Sequence, residues 1–431
     1  MKRGICNVIL CTVLVRTVST AASGYISTAK PPIKTNDFPI DPNTPARLAK
    51  HRDLQPLLAG YVDPTLPPYS AAGDGTTDDA TPLQQAIDDA YVARMTVLLP
   101  SNRTFLLSTQ LRMIQPLNVT GRSFGFQIVG ARGMSSSAVS RPVLKLKDRV
   151  STSSWVGMPS GGTEPTGGQG NCLPSEEDCS PKVFLLFQYL ESRVGNRDKI
   201  RAESFYLCKL RGIDVDVGDN PGVSAVSMSS AQLASMEDVR VTGHSFHAGF
   251  NGLPGSGGFS ANLEVTGGDY GIVQNQFRPN PSVTGLRLVG QKKAGIVVDV
   301  SRGPVVVSGF HIEGVQHPTT GDTTAYRAVL LRNRTGDVAG RRSGGGDNAF
   351  NGEDGAIVMH DTSGGTAVES IGGADVILKN VYVSGAKTIV VCAKNGLSLP
   401  SGGSISDPGS TVRVPLLVLT ASAGELNPTL A

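Results

Sequence analysis

The chain has 431 residues, of which 52 are Gly and 27 Pro, only 17% are charged, and the formal net charge is +3. This turn-rich composition has too few helix-forming stretches for a helical bundle or a doubly wound sheet. A charge so close to neutral also argues against nucleic acid as a partner.

Residues 1–22 read as a secretory signal. Lys2 and Arg3 precede an apolar run from Ile5 to Val15, and Ser19, Ala21 and Ala22 supply small residues for cleavage. The run is too short to cross a bilayer, so no membrane partner is expected. Cleavage removes Lys2, Arg3 and Arg16, and 3 − 3 leaves a neutral mature chain with an extracellular destination. Acceptor triplets beginning at Asn102, Asn118 and Asn333 fit glycosylation on that route. Cys6 and Cys11 leave with the signal. Cys172 and Cys179 flank a short Pro-containing loop and are expected to pair, while Cys208 and Cys392 lie too many repeats apart to bridge.

Residues 23–70 are rich in Pro, Thr and Lys without periodicity and read as an irregular N-terminal segment. A helix follows, with Thr81 as N-cap, Pro82 in the first helical position and Gln84 completing a capping box. Leu83, Ala86, Ile87, Ala90 and Tyr91 form its apolar stripe. The first strands are expected at Thr96–Leu99 and Thr104–Leu107, and a later one at Phe124–Val129. Two Gly-rich excursions, 151–181 with the only tryptophan, Trp155, and 335–354, are long enough to wall a groove.

The second half repeats one pattern, in blocks that start at Gly212, Asp238, Asn262, Gly285, Gly309 and Asn380. Successive starts lie 26, 24, 23, 24 and 71 residues apart, and 71 is close to three further steps. The second and fourth positions of every block are apolar, the third is polar, charged or aromatic, and most blocks end in Gly. That is strand alternation followed by a turn. A strand recurring about every two dozen residues makes each repeat one coil of a solenoid. The predicted fold is therefore an all-β solenoid: a single-stranded right-handed parallel β-helix over 71–395, with the helix from Pro82 covering its open N-terminal end. Residues 396–431 read as a C-terminal strand and tail.

The stretch Gly73-Asp-Gly-Thr-Thr-Asp-Asp79, Thr81-Pro-Leu-Gln-Gln-Ala-Ile-Asp88, Val97–Pro100 and Thr104-Phe105 resembles the opening motif of the pectate-lyase superfamily, the rhamnogalacturonase/epimerase-like group of parallel β-helix proteins. His244–Gly258, with Gly252-Leu-Pro-Gly-Ser-Gly-Gly258, is similar to coils of glucan 1,3-β-glucosidases of the same fold. The resemblance implies a polysaccharide-cleaving enzyme, a hydrolase or a lyase. It carries no catalytic residue across, because the Asn-Thr-Asp, Gly-His-Gly and Arg-Ile-Lys motifs of the galacturonan hydrolases are missing. Asp74, Asp78 and Asp79, just before the helix, suit its free amides and dipole better than chemistry.

Candidate site residues come from stacking instead. If positions two and four point inward, the third positions form an outward column, Asp214, Arg240, Glu264, Arg287, His311 and, further along, Tyr382, with neighbouring coils about 4.8 Å apart. Asp216 and Glu313 add fifth positions. Such a column suits an extended sugar chain, with Trp155 available to stack on a ring. Hydrolysis needs two carboxyls, and Asp214 and Glu264, two coils or about 9.6 Å apart, fall at the edge of the inverting range. Elimination from a uronate would use Arg240, Arg287 and His311 to neutralise the carboxylate and take the proton. Glu264, between two arginines, is the leading catalytic candidate, with Asp214 and His311. Arg240, Arg287, Asp216, Glu313, Tyr382 and Trp155 are the candidate binding residues. No cofactor is expected, and no metal, since no Asp cluster of calcium-binding type occurs. Two other readings stay open: a charge ladder that keeps the sheet soluble, and a β-helix that binds or coats polysaccharide without cleaving it.

Overall fold

The left-handed backbone of one residue per coil organises the whole molecule. In the computed structural model, which describes residues 43, 46–50, 60–115, 125–131, 140–153, 155, 182–194, 197–200, 205–275, 280–299, 301, 303–315, 326–332, 349–360, 365–371, 375–392, 397–400 and 411–419, φ is +69° at Gly212, +55° at Asp238, +53° at Asn262, +70° at Gly285, +63° at Gly309, +50° at Asp354 and +52° at Asn380. Gly, Asn and Asp are the residues that tolerate this conformation. Each interrupts the strand alternation by one residue, so the inward side chains run Met236, Val239, Val241 and Val283, Leu286, Leu288, with a step of three across the corner and two after it.

The corner therefore divides each long strand into two arms. Lys209–Asp216 makes this visible: Lys209–Arg211 pairs with Gln127–Val129, whereas Asp214–Asp216 pairs with Val143–Lys145, two strands still separate in the preceding coil. From there Lys209–Asp216, Ser235–Thr242, Phe259–Thr266, Ser282–Gln291, Pro304–Val315, Ala349–His360 and Asp375–Ser384 stack in parallel within one 14-stranded sheet. Asp219–Met228, Ser245–Asn251, Tyr270–Gln274, Ala294–Val298, Arg327–Leu331, Thr366–Ser370 and Thr388–Cys392 alternate with them along the chain and stack in the same order in an 11-stranded sheet. One strand per coil in each of two parallel sheets is a parallel β-helix.

All twelve apolar residues assigned inward are buried, from Ile213 and Val215 through Phe310 and Ile312 to Val381 and Val383. Each buried Val, Leu, Ile or Phe contributes about 1.5–3 kcal/mol of transfer free energy. The interior is also pinned by amides. Nε2 of the buried Gln291 donates to the carbonyls of Val265, Gly267 and Val289 at 3.0–3.1 Å, tying the turns of two coils together. Cys208 is a buried free thiol, pushed up to about 12 by that burial. Cys172 and Cys179 lie outside the described residues, as do the signal segment, Asn118 and Asn333.

The structure corrects three expectations. The 71-residue step holds two coils, 354 − 309 = 45 and 380 − 354 = 26, because the block Asp354–Met359 carries Gly355 where an apolar residue was required. The repeat also begins inside the stretch read as irregular, since Tyr61–Val62 pairs in parallel with Thr96–Val97. Lastly, the helix spans Ala80–Ala93 with Asp79 at its N-cap and no side-chain cap bond. The Asp79 carboxylate accepts instead from the Ala72 and Gly73 amides, and Gln84 bonds Asp88 and the Arg112 backbone, which leaves no capping box. Asp74 and Asp78 serve the same turn by accepting from the amides of Thr76, Thr77 and Ala80.

The helix buries Leu83, Ala86, Ile87 and Ala90 against the first strands. At the far end the chain reverses direction. Thr411–Leu419 pairs antiparallel with Asp375–Ser384, and Leu397–Pro400 antiparallel with Thr388–Cys392.

Candidate functional site

Strand register places the outward column directly. Asp214, Arg240, Glu264, Arg287 and His311 are consecutive partners across four coil steps, and the column continues through Ala356 and Tyr382 to Arg413 of the antiparallel closing strand. Asp214 to Tyr382 is six steps, or about 29 Å along the axis. Tyr382 is 43% exposed near its end.

Glu264 sits where the column is most tightly tied. Its Oε1 accepts from Arg287 Nη1 at 3.1 Å, and Arg240 Nε lies 3.4 Å from Oε2. Around it is a shallow hollow of about 330 Å³ lined by Arg141, Arg240, Arg287, Asn262, Gly285 and Gly309, with Leu263 and Leu286 beneath. Three arginines line the hollow, and two of them, Arg240 and Arg287, hold the Glu264 carboxylate.

Asp214 stands one coil before Arg240 and beside Arg141, two residues that line this hollow. Its Oδ1 is shielded from solvent and lies 3.6 Å from Arg141 Nη1, which also donates to the Asp238 carbonyl at 2.6 Å. Burial raises the Asp214 carboxyl above the ordinary carboxylate range, opposed by Arg141 and Arg240 and assisted by the charge on Glu264. The two carboxyls the sequence picked out thus have different surroundings: one half-buried and pushed towards its protonated form, the other tied to two arginines.

The remaining predicted residues divide. His311 is in the column, but its Nε2 faces Glu313 Oε2 at 3.3 Å, while His360 Nε2 approaches Oε1 of the same carboxylate at 3.2 Å. The bond with His311 leads in holding Glu313 below its usual range. Asp216 is turned into a corner, accepting from the Gly218 amide at 3.0 Å with Lys145 Nζ at 3.8 Å. Trp155 does not reach this face. It is 5% exposed and packs beside the N-terminal end of the helix, lining a separate cavity of about 410 Å³ with Gln84, Gln85, Gln110 and Arg112. It is a core residue of that end rather than a platform on the column. Asn102 is exposed, its Oδ1 accepting from the Ser140 amide and hydroxyl.

Arg141, Ala356 and His360 also belong to this face, and Arg413 is in register with it; none of the four carries a signal in the repeat. Arg141 precedes a short strand with no block around it, Ala356 and His360 belong to the coil that Gly355 disguises, and Arg413 arrives by an antiparallel strand.

No protein-family model and no curated protein matches the chain. Several solved structures resemble it at low identity. They include ORF18 of Geobacillus virus E2, at 10% identity and a TM-score of 0.26, covering 78% of this chain. The chain spans 64% of that viral protein's length. The A-module of mannuronan C-5 epimerase AlgE6 of Azotobacter vinelandii is 14% identical over 74% of this chain and 92% of the module, with a TM-score of 0.29. PfbA, a surface adhesin of Streptococcus pneumoniae, is 9% identical over 84% of this chain and all of its own, with a TM-score of 0.26. Likenesses this distant say nothing of what the chain binds or does. Among the described residues no helix is long and apolar enough to cross a membrane.

Proposed function

We propose that this is a secreted polysaccharide-cleaving β-helix protein that lays an extended, acidic sugar chain across the column from Asp214 to His311 and hydrolyses it at the hollow around Glu264. The observation that carries this reading is the pairing of a half-buried Asp214, raised towards its acid form, with an arginine-tied Glu264 two coils away. Two coil spacings put the backbones of these residues about 9.6 Å apart, close to the roughly 6.5–9.5 Å between carboxyls that leaves room for a water in inverting hydrolysis. Asp214 would protonate the glycosidic oxygen and Glu264 would activate the water. The three arginines favour a chain bearing carboxylate or sulfate groups, which guanidinium binds through two parallel bonds. His311 and Tyr382 extend the same face, Tyr382 offering a ring surface for a further sugar. Secretion and glycosylation at Asn102 fit such a role.

The test is incubation of the purified protein with a panel of neutral and acidic polysaccharides, reading new reducing ends and the absorbance of unsaturated uronate. Reducing ends without absorbance support hydrolysis. Both signals together replace it with elimination by Arg240, Arg287 and His311, and binding with neither reduces the protein to a non-catalytic module. In a hydrolase, Glu264→Gln keeps the shape and removes the charge, so activity falls by at least about a hundredfold with Tm nearly unchanged. Full activity in that variant would show the column to be a charge ladder only.

A further inference from the structure

The corner residues carry a ladder of their own, and it is broken at the hollow. Where the corner is Asp or Asn, neighbouring coils are bonded: Asn262 Nδ2 donates to Asp238 Oδ1 at 3.2 Å, and Asn380 Nδ2 to Asp354 Oδ1 at 2.7 Å. Between Asn262 and Asp354 stand Gly285 and Gly309, so two consecutive rungs have no side chain. The hollow is lined by those two glycines and by Asn262 at its edge.

The backbone does not demand glycine there. Asp238, Asn262, Asp354 and Asn380 hold the same corner at φ +50° to +55°, close to the +63° of Gly309. A Cβ on Gly309 would meet only the Gly285 amide nitrogen at 3.7 Å, an ordinary contact, and one on Gly285 would meet the movable Oδ1 of Asn262 at 2.7 Å. What distinguishes these two coils is therefore the open space above Leu286, beside Arg240, Arg287 and Glu264.

We infer that Gly285 and Gly309 are specificity-determining positions: the two missing rungs admit one acidic sugar unit over the corner, so that its anionic group reaches Arg240 and Arg287. This rests on the polysaccharide reading above and adds where and why the chain is received. A unit lying over the rungs contacts bare backbone at both glycines, which a side chain at either position would cover.

Gly309→Asn tests it. Asparagine suits the left-handed corner, and register places it beside Asp354, where it can continue the ladder. Gly290→Asn is the matched control, since Gly290 has φ +72°, open space around it and no part in the hollow. Binding of an acidic hexasaccharide, oligogalacturonate, and of a neutral one, laminarihexaose, is measured by calorimetry on wild type and both variants. Wild type should prefer the acidic sugar, Gly309→Asn should lose at least tenfold in affinity with Tm unchanged, and Gly290→Asn should bind as wild type does. If Gly309→Asn fails to fold, Gly285→Asn fills the same hollow from the neighbouring rung and must show the same loss. Wild-type affinity in a folded rung variant overturns the inference while leaving the polysaccharide reading intact. Failure of wild type to bind either sugar overturns both.

Discussion

Phe310 occupies the space that Gly355 leaves empty in the next coil. A Cβ built on Gly355 would come within 2.3 Å of the Phe310 ring, far inside any tolerable contact. The backbone of Gly355 has no positive φ, so the constraint is steric alone. Gly355→Ala is expected to destabilise the protein by about 1–3 kcal/mol through overpacking, read as a fall in Tm or in the urea midpoint. Adding Phe310→Leu should recover part of that loss. No change in the single variant would mean the ring moves aside freely.

Arg47 and Asp89 join the N-terminal segment to the helix. Nε and Nη2 of Arg47 each contact an Asp89 carboxylate oxygen at 2.7 Å, and Tyr69 Oη donates to Oδ2 at 3.0 Å. Asp89 is fully buried. Arg47→Ala removes the cation paired with that buried carboxylate, so a loss of about 3–5 kcal/mol is expected, and Arg47→Ala combined with Asp89→Asn should lose less. Equal losses in the single and double variants would show that the charge is not the cause.

Asp88, on the same helix, gives the fold a pH dependence. Burial raises its carboxyl from 3.8 to about 6 despite the bond from Gln84. The folded chain therefore holds this proton more tightly than the unfolded chain. The stability it adds is complete below pH 3.8 and is lost as pH rises through about 6. Asp88→Asn keeps an acceptor for Gln84 and removes the titration. At pH 7 the variant should gain stability, by at most about 3 kcal/mol. Its Tm should also vary less than that of wild type between pH 4 and 6. A wild-type slope over that range in the variant would assign the dependence to another group.

The alternation of inward and outward residues, the period of about two dozen and the residues Asp214, Arg240, Glu264, Arg287 and His311 were all legible in the sequence, because strand geometry is local. Once neighbouring coils are in register, position along the block decides which side chains share a column. The corner residue was legible only as a preference for Gly, Asn or Asp at each block start; that it is a left-handed bend dividing two arms required the backbone. The tertiary structure alone decided what depends on packing between coils. Gly355 reads as a break in the pattern until the Phe310 ring is seen filling its place. Trp155 reads as a loop aromatic until it is found buried beside the helix. Arg141, from outside the repeat, completes the hollow because two separate strands of one coil fuse into a single strand in the next, which brings it against Asp214. Contacts of this kind depend on which side chain fills a volume left by a residue dozens of positions away, and periodicity carries no record of volume.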